Sequence, residues 1–477
     1  MLPQIAAAIE HRTTRIDCCG DLDALDAASR VFRFRPDGYA YMPAYVSGQW
    51  DGYIRLLRGG RVPTGLFLQQ LAELQRVLQV CVTDNRTLPE FGDPAVAAWQ
   101  QARPYQRECY QAMLAASGTG GIVLQSTGSG KTFVAGLYFS ALRGRAMFLV
   151  DELTLLGQAQ KAIASVLQEP VGIFGGGKFS PERITVSTVQ TLDRRRKTDD
   201  VRKFRPEVVI LDELHEALND RTDRVLAALK PKAVFGLTAT LQMEKKPIRF
   251  RAAATCGPVI YTYPLQQGIE EGHLAQGVVV RVDREFGACF RLFRKSGAEE
   301  RYERAVVDNH ARNLYIADLA ATCARKHPTI LLVDRIRHLE NLDGMLNGCA
   351  RRVLCGEDAK EERAQAISDM IAGKLNLIVT NRIFGKGVDI PNLEVVIDAT
   401  GRQSRNAAQQ RLGRGSRKSP GKIGLIHIDI ADPLLSATKQ RLIAYRKLKV
   451  PIVDVKIHLS PQQLLDYAYN HLNPKNV

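Results

Sequence analysis

The sequence predicts an α/β protein of two parallel-sheet lobes in tandem, preceded by a small α+β domain. Three observations lead there. Between residues 103 and 263, short β-branched runs alternate with helical patterns, and parallel strands need such crossovers to pair. After an interruption over 265–304 the same rhythm returns. Finally, 477 residues exceed what one hydrophobic core organises.

In the first lobe the strand candidates are 121–124, 146–150, 184–187, 208–211 and 233–237, with helices expected after Lys131, Leu153 and Asp220. Their near-continuous apolar character predicts a sheet covered on both faces. In the second lobe they are 329–333, 377–380, 395–397 and 422–428, with a helix over 360–371. The tail reads as a short strand after Val450 and a helix over 461–470. Residues up to about 95 are rich in aromatics and glycine, centred on 32–57. The expected boundaries are therefore 1–95, 96–266, 267–450 and 451–477. No low-complexity segment or short-period repeat is present.

Sixty-six Lys and Arg against fifty Asp and Glu leave a net charge of +16. That excess favours a polyanionic partner, because each neutralised phosphate releases condensed counterions. A membrane surface could use the same charge, but the chain has no long uncharged apolar run to insert. Its mildly apolar start lacks the basic flank of a signal peptide. The nine cysteines include no CxxC pair, and the adjacent Cys18 and Cys19 lack a second pair to complete a zinc site. The expectation is reduced thiols in a cytoplasm, without a structural metal.

The strongest local signal is Ser126-Thr127-Gly128-Ser129-Gly130-Lys131-Thr132, between a strand and a helix. Glycines let backbone N–H groups turn onto phosphates, and the helix N-terminus adds positive dipole. Lys131 is expected on the β- and γ-phosphates of ATP and the Thr132 hydroxyl on Mg²⁺. The strict pattern begins with glycine where this chain has Gln125. Downstream, the apolar run 208–211 ends in Asp212-Glu213-Leu214-His215. A carboxylate at that strand end can hold the Mg²⁺ water shell, and the next can activate the attacking water. Asp212 takes the first role and Glu213 the second.

With these residues the chain resembles the superfamily 2 DExH helicases, whose fold is two RecA-like lobes. Further matches follow in family order. Arg103-Pro104-Tyr105-Gln106 resembles the adenine-reading motif, and Ser187-Thr188-Val189-Gln190-Thr191 a backbone-contacting motif of the first lobe. Thr238-Ala239-Thr240 resembles the motif that couples nucleotide to nucleic acid. Thr380-Asn381 through Gly387-Val388-Asp389 resembles motif V. Gln410-Arg411-Leu412-Gly413-Arg414-Gly415-Ser416-Arg417 is similar to the family's arginine signature. The resemblance implies Arg414 and Arg417 as arginine fingers, which suits a planar guanidinium facing developing phosphoryl charge. It also implies Gly387 and Asp389 at the nucleotide, and Thr188, Gln190, Thr380 and Asn381 on nucleic acid. Where many relatives carry a Pro-Thr element this chain has Asp151-Glu152, expected at the start of the following helix rather than on a phosphate track.

The tract Phe32-Arg33-Phe34-Arg35, with Gly48-Gln49-Trp50-Asp51-Gly52-Tyr53-Ile54-Arg55, looks like the N-terminal domain of UvsW-type bacteriophage recombination helicases. That resemblance implies an ATP-dependent remodeller of branched or forked DNA, acting as a monomer in a host cytoplasm beside single-stranded-DNA-binding and recombination proteins. Arg33, Arg35 and Arg55 are the expected phosphate contacts. The aromatics can stack on bases or form the core of a small β-rich domain, and for Trp50 and Tyr53 the core is expected. The basic residues 194–197 read as a solvated loop or a duplex contact. Those near 441–449 read as an exposed helix face. Competing functions are a DExH RNA motor, the translocase subunit of a restriction system, and a DNA-binding scaffold with degenerate motifs. Every motif lies beyond Pro94, so a chain starting there is expected to fold and hydrolyse ATP.

Overall fold

The computed structural model describes residues 2–472 apart from 197, 240, 284–285, 287–296, 347, 356–357, 382–389, 403–421, 423, 433–434 and 456–458. The chain divides into two compact units: residues 1–125 with 130–263, and residues 126–129 with 264–477.

The first unit holds an eight-stranded sheet. Its order is Lys178–Ser180, Gly172–Gly175, Ile184–Thr188, Ala146–Val150, Val208–Leu211, Ala233–Thr238, Gly120–Gln125 and Val259–Tyr263. Every pairing is parallel except that of the first two strands. Side chains alternate between two buried faces. Phe148, Val150, Ile210 and Phe235 pack with helices Pro104–Ala115, Lys131–Ala141 and Leu156–Leu167. Met147, Leu149, Val209 and Leu211 meet helices Asp220–Leu229 and Lys246–Thr255 on the other face. The expected lobe is therefore present, with its strand ends moved by one residue at most. Added to it are the hairpin Gly172–Ser180 and the edge strand Val259–Tyr263.

Among the described residues the second unit carries a sheet of seven strands, all paired in parallel. They run Arg352–Leu354, Leu377–Thr380, Thr329–Leu332, Val395–Asp398, Leu425–Ala431, Gly277–Asp283 and Ile452–Val455. Helices His310–Ala324 and Pro461–Leu472 cover one face, and Lys360–Ile371 and Ser436–Lys447 the other. The stretch 265–304, expected to interrupt the rhythm, contains an interior strand of this sheet. Its partners Leu425–Ala431 and Ile452–Val455 lie more than 140 residues downstream, so no local pattern announces the pairing. Residues 451–472 supply the edge strand and a core helix of this unit. Arg441 departs from the exposed face expected of it: it is buried and bound to Asp429.

The N-terminal residues form a four-stranded sheet ordered Arg61–Pro63, Thr13–Asp17, Gln4–Ile9 and Gln79–Asp84. Helices Leu22–Val31 and Thr64–Gln75 pack on it, and Asp21 caps the former by accepting from two backbone N–H groups. Its core also includes Phe250 and Ala253 from helix Lys246–Thr255. A Cβ on Gly65 would lie 2.3 Å from the Ala253 carbonyl, so only glycine permits this approach. Arg12 Nη1 donates to the Thr255 carbonyl at 2.7 Å. A chain beginning at Pro94, expected to fold, would leave Phe250, a fully buried ring, without its partners from the N-terminal core.

Candidate active site

Strand Gly120–Gln125 delivers the chain to the C-terminal edge of a parallel sheet, and helix Lys131–Ala141 leaves from it. Between them Gly128 and Gly130 adopt φ of +86° and +84°, the left-handed region that a side chain resists. A Cβ at Gly130 would meet the Gln106 amide nitrogen at 2.6 Å. Gln106 is thus seated against the loop, and its Oε1 accepts the Arg103 backbone N–H at 3.0 Å. Arg103 Nη1 donates to Tyr105 Oη at 3.3 Å, and the Tyr105 ring stacks on Tyr263 with centroids 3.9 Å apart. Lys131 Nζ donates to the Gln125 carbonyl at 3.3 Å and Ser129 Oγ to the Ser126 carbonyl at 2.8 Å. Thr132 is the second residue of the helix.

The DExH residues leave the same edge, two strands away. The Asp212 N–H extends the ladder to the Leu149 carbonyl, and Asp212 Oδ1 accepts from the Glu213 N–H at 3.0 Å. Glu213 has φ +47° and ψ +56°. A non-glycine residue held there stores about 1–3 kcal/mol of strain, a feature that clusters at functional sites. His215, to which the sequence reading gave no role, joins two motifs. Its Nδ1 lies 3.1 Å from Thr238 Oγ1 and 3.5 Å from Glu213 Oε2. The fourth letter of DExH is the signal that pointed to it.

These features fit phosphate and a magnesium ion. The hydroxyls of Ser126 and Thr127 and the Oε2 of Glu213 are buried without a hydrogen-bond partner among the described residues. Among those residues no group of three or more His, Cys, Asp and Glu could hold a metal. An ion on Thr132 and Asp212 would therefore draw most of its ligands from phosphate and water, as Mg²⁺ commonly does.

The nucleic-acid candidates fall in varied settings. Thr188 Oγ1 accepts from the Thr191 N–H at 3.1 Å and lies 2.9 Å from Thr191 Oγ1, capping the next helix from a buried position. Gln190 Oε1 and Asn381 Oδ1 are buried without partners among the described residues. Thr380 ends its strand, buried. Glu152 precedes the 3₁₀ turn Leu153–Leu155, which leads into helix Leu156–Leu167.

In the N-terminal tract, strands Arg33–Phe34 and Ile54–Arg55 form a short antiparallel ladder. Arg33 and Arg35 lie over the Tyr53 ring at 4.3 and 4.4 Å, and Arg35 also over Tyr39 at 4.7 Å. Arg55 pairs with Asp51, whose carboxyl is thereby pulled down to about 2. Trp50 and Tyr53, expected in a core, are half-buried: Tyr53 serves as the platform for two guanidinium groups, and Trp50 donates to its carbonyl. Tyr41, which ends the 3₁₀ turn Tyr39–Tyr41, is 89% exposed. Gly387, Asp389, Arg414 and Arg417 lie outside the described residues.

A glycine-rich loop and an acidic strand end on one edge of a parallel sheet, in a chain with a second parallel-sheet unit, define a two-lobed P-loop protein. Residues 100–243 match the family described as type III restriction enzyme, res subunit, and 311–419 the helicase conserved C-terminal domain. The chain belongs to the superfamily 2 DExH helicases and resembles the UvsW-type group. It is 27% identical to Rad25 of Halobacterium salinarum over 76% of its own length and 60% of that protein. It is 21% identical to the ATP-dependent DNA helicase UvsW of Enterobacteria phage T4 over 86% of each chain. The structure of Dbp5 from S. cerevisiae bound to RNA and ADP BeF3 shares the fold, with a TM-score of 0.55 at 17% identity, covering 76% of this chain and 92% of that one. No helix among the described residues is long and apolar enough to cross a membrane.

Proposed function

We propose that this chain is an ATP-driven DNA motor that remodels branched DNA: it migrates junctions, regresses forks and anneals strands. The observation that carries the ATPase half is Glu213, held in a left-handed conformation beside Asp212 on the edge that presents the phosphate loop. In this reading the loop N–H groups and Lys131 bind the phosphates, and Gln106 and Arg103 flank the base. Mg²⁺ on Thr132 and Asp212 would neutralise phosphate charge. Glu213 takes the proton of the attacking water, and His215 holds that carboxylate against Thr238. Arg414 and Arg417 serve as arginine fingers. Thr188, Gln190, Thr380 and Asn381 line the nucleic-acid track, through backbone groups where a hydroxyl is already committed. The likeness to UvsW and the cation–π tract support DNA as the substrate, with Arg33, Arg35 and Arg55 on phosphates.

ATP turnover measured with single-stranded DNA, duplex, fork, four-way junction and RNA tests the reading. Forks and junctions should stimulate most; equal stimulation by RNA would sink the DNA assignment. Arg414→Ala should cut kcat by ~10³-fold while sparing ATP affinity. The match to a restriction-enzyme family supports a second reading, the translocase subunit of a restriction system. Stimulation by plain duplex alone, with no junction migration, would favour it.

A further inference from the structure

Between the paired strands Arg33–Phe34 and Ile54–Arg55 the chain makes a 3₁₀ turn, Tyr39–Tyr41, and a helical turn, Pro43–Val46. This connection is fixed by its own contacts. The Trp50 N–H donates to the Ala44 carbonyl at 2.9 Å, and its Nε1 to the Tyr53 carbonyl at 2.9 Å. Gly52 has φ +81°, and a Cβ on it would lie 2.8 Å from Tyr39 Cδ2 and 3.1 Å from Tyr45 Cδ2. Glycine therefore lets the returning backbone press against both rings. Those rings meet edge to face, with centroids 5.0 Å apart. Arg35 lies over Tyr39 and donates from Nη1 to its hydroxyl at 3.0 Å. Tyr39, Tyr45, Trp50 and Tyr53 are thus occupied in holding the connection together.

Tyr41, Met42 and Val46 are not. They are 89%, 38% and 72% exposed, although the Val46 N–H donates to the Met42 carbonyl at 3.0 Å and closes the turn that carries them. An isolated exposed apolar residue calls for no explanation. Three within residues 41–46, on a framework that other aromatics hold in place, offer a ring and two apolar side chains to a partner. The charge around them shows which partner fits. Residues 33–58 contain two carboxylates, and each is taken by a cation: Asp51 by Arg55, and Asp37 by Lys245 at 3.0 Å. Arg33 and Arg35, stacked on Tyr53, leave the tract positive. A flat apolar ring beside guanidinium groups suits an unpaired nucleobase and the phosphate next to it.

We infer that Tyr41, flanked by Met42 and Val46, is a base-stacking site for an unpaired nucleobase at a DNA branch point. This deepens the branched-DNA reading and rests on it. A blunt duplex keeps its bases stacked inside, whereas a fork presents unpaired bases beside the duplex end. Stacking on Tyr41 therefore favours forks, while contacts to phosphate alone favour neither.

The test uses a fork carrying 2-aminopurine at the unpaired position next to the branch, whose emission reports stacking. Binding to this fork and to blunt duplex is measured for the full chain, Tyr41→Ala and Tyr41→Trp, with melting curves. Tyr41→Ala should weaken fork binding roughly five- to a hundredfold and abolish the emission change. Duplex affinity and melting temperature should stay near those of the full chain, and Tyr41→Trp should restore fork binding. Unchanged fork binding and emission in Tyr41→Ala, or equal losses on fork and duplex, would overturn the stacking role alone. Unchanged fork binding beside reduced self-association in light scattering would also overturn it, and give the surface to a second copy of the chain. A full chain that binds fork no better than duplex would overturn the branched-DNA reading, and this inference with it.

Discussion

The phosphate edge of the first lobe and the aromatic tract of the N-terminal domain both suit contact with anions, and they are built from opposite materials. At the phosphate edge the instruments are backbone N–H groups, two left-handed glycines and short side chains within seven consecutive residues. In the tract, long side chains twenty residues apart are brought together. Arg33 and Arg35 come from one strand region, and Tyr53 precedes the other. Chemistry confined to one turn depends on spacing, and spacing is written in sequence. Chemistry assembled by a hairpin depends on register, which is settled only when the strands pair.

The largest test of that contrast removes the support beneath the tract. Phe250→Ala empties the centre of the N-terminal core and should destabilise it by about 3–5 kcal/mol in urea unfolding. A chain beginning at Pro94 should aggregate or melt early, because helix Lys246–Thr255 loses its partners. If that chain were as stable as the full one, the shared core would be unimportant and the two regions independent.

Next in size is the phosphate edge itself. Glu213→Gln keeps shape and loses the base, so turnover should fall by ~10²-fold or more while ATP still binds. Lys131→Ala should also abolish turnover, but by weakening ATP binding, as nucleotide titration would reveal. Residual turnover above about a tenth of the full chain's in Glu213→Gln would contradict the base role.

The smallest effects belong to the tract's surface. Replacing Arg33, Arg35, Arg55 and Arg58 by Ala should reduce the salt dependence of junction binding, by up to ~0.9 in slope per lost duplex contact. Arg55→Ala should contribute least, since its guanidinium is already bound to Asp51. An unchanged slope with a lowered melting temperature would make these arginines structural.

Much of the lobes was legible because their strands are short apolar runs separated by helices. Strands 146–150, 208–211 and 377–380 and helix 360–371 stand where the pattern put them. Strand Gly277–Asp283 was not, although its valine run is plain, because it takes its place only beside strands from far along the chain. Arg441 read as a surface cation for a similar reason: nothing near it in sequence reveals that Asp429 waits in the sheet beneath.

By itself the sequence determined the chemistry that lives in contiguous residues. The loop 126–132 and the pair Asp212–Glu213 follow from local geometry and the strand-to-helix turns that carry them. Tertiary structure alone decided the rest. It joined His215 to Thr238, put Phe250 inside the N-terminal core, laid two arginines on Tyr53, and closed Arg312 on Asp432 across 120 residues. The physical reason is that a long-range contact is selected by the burial of whole faces, which no local stretch of chain encodes.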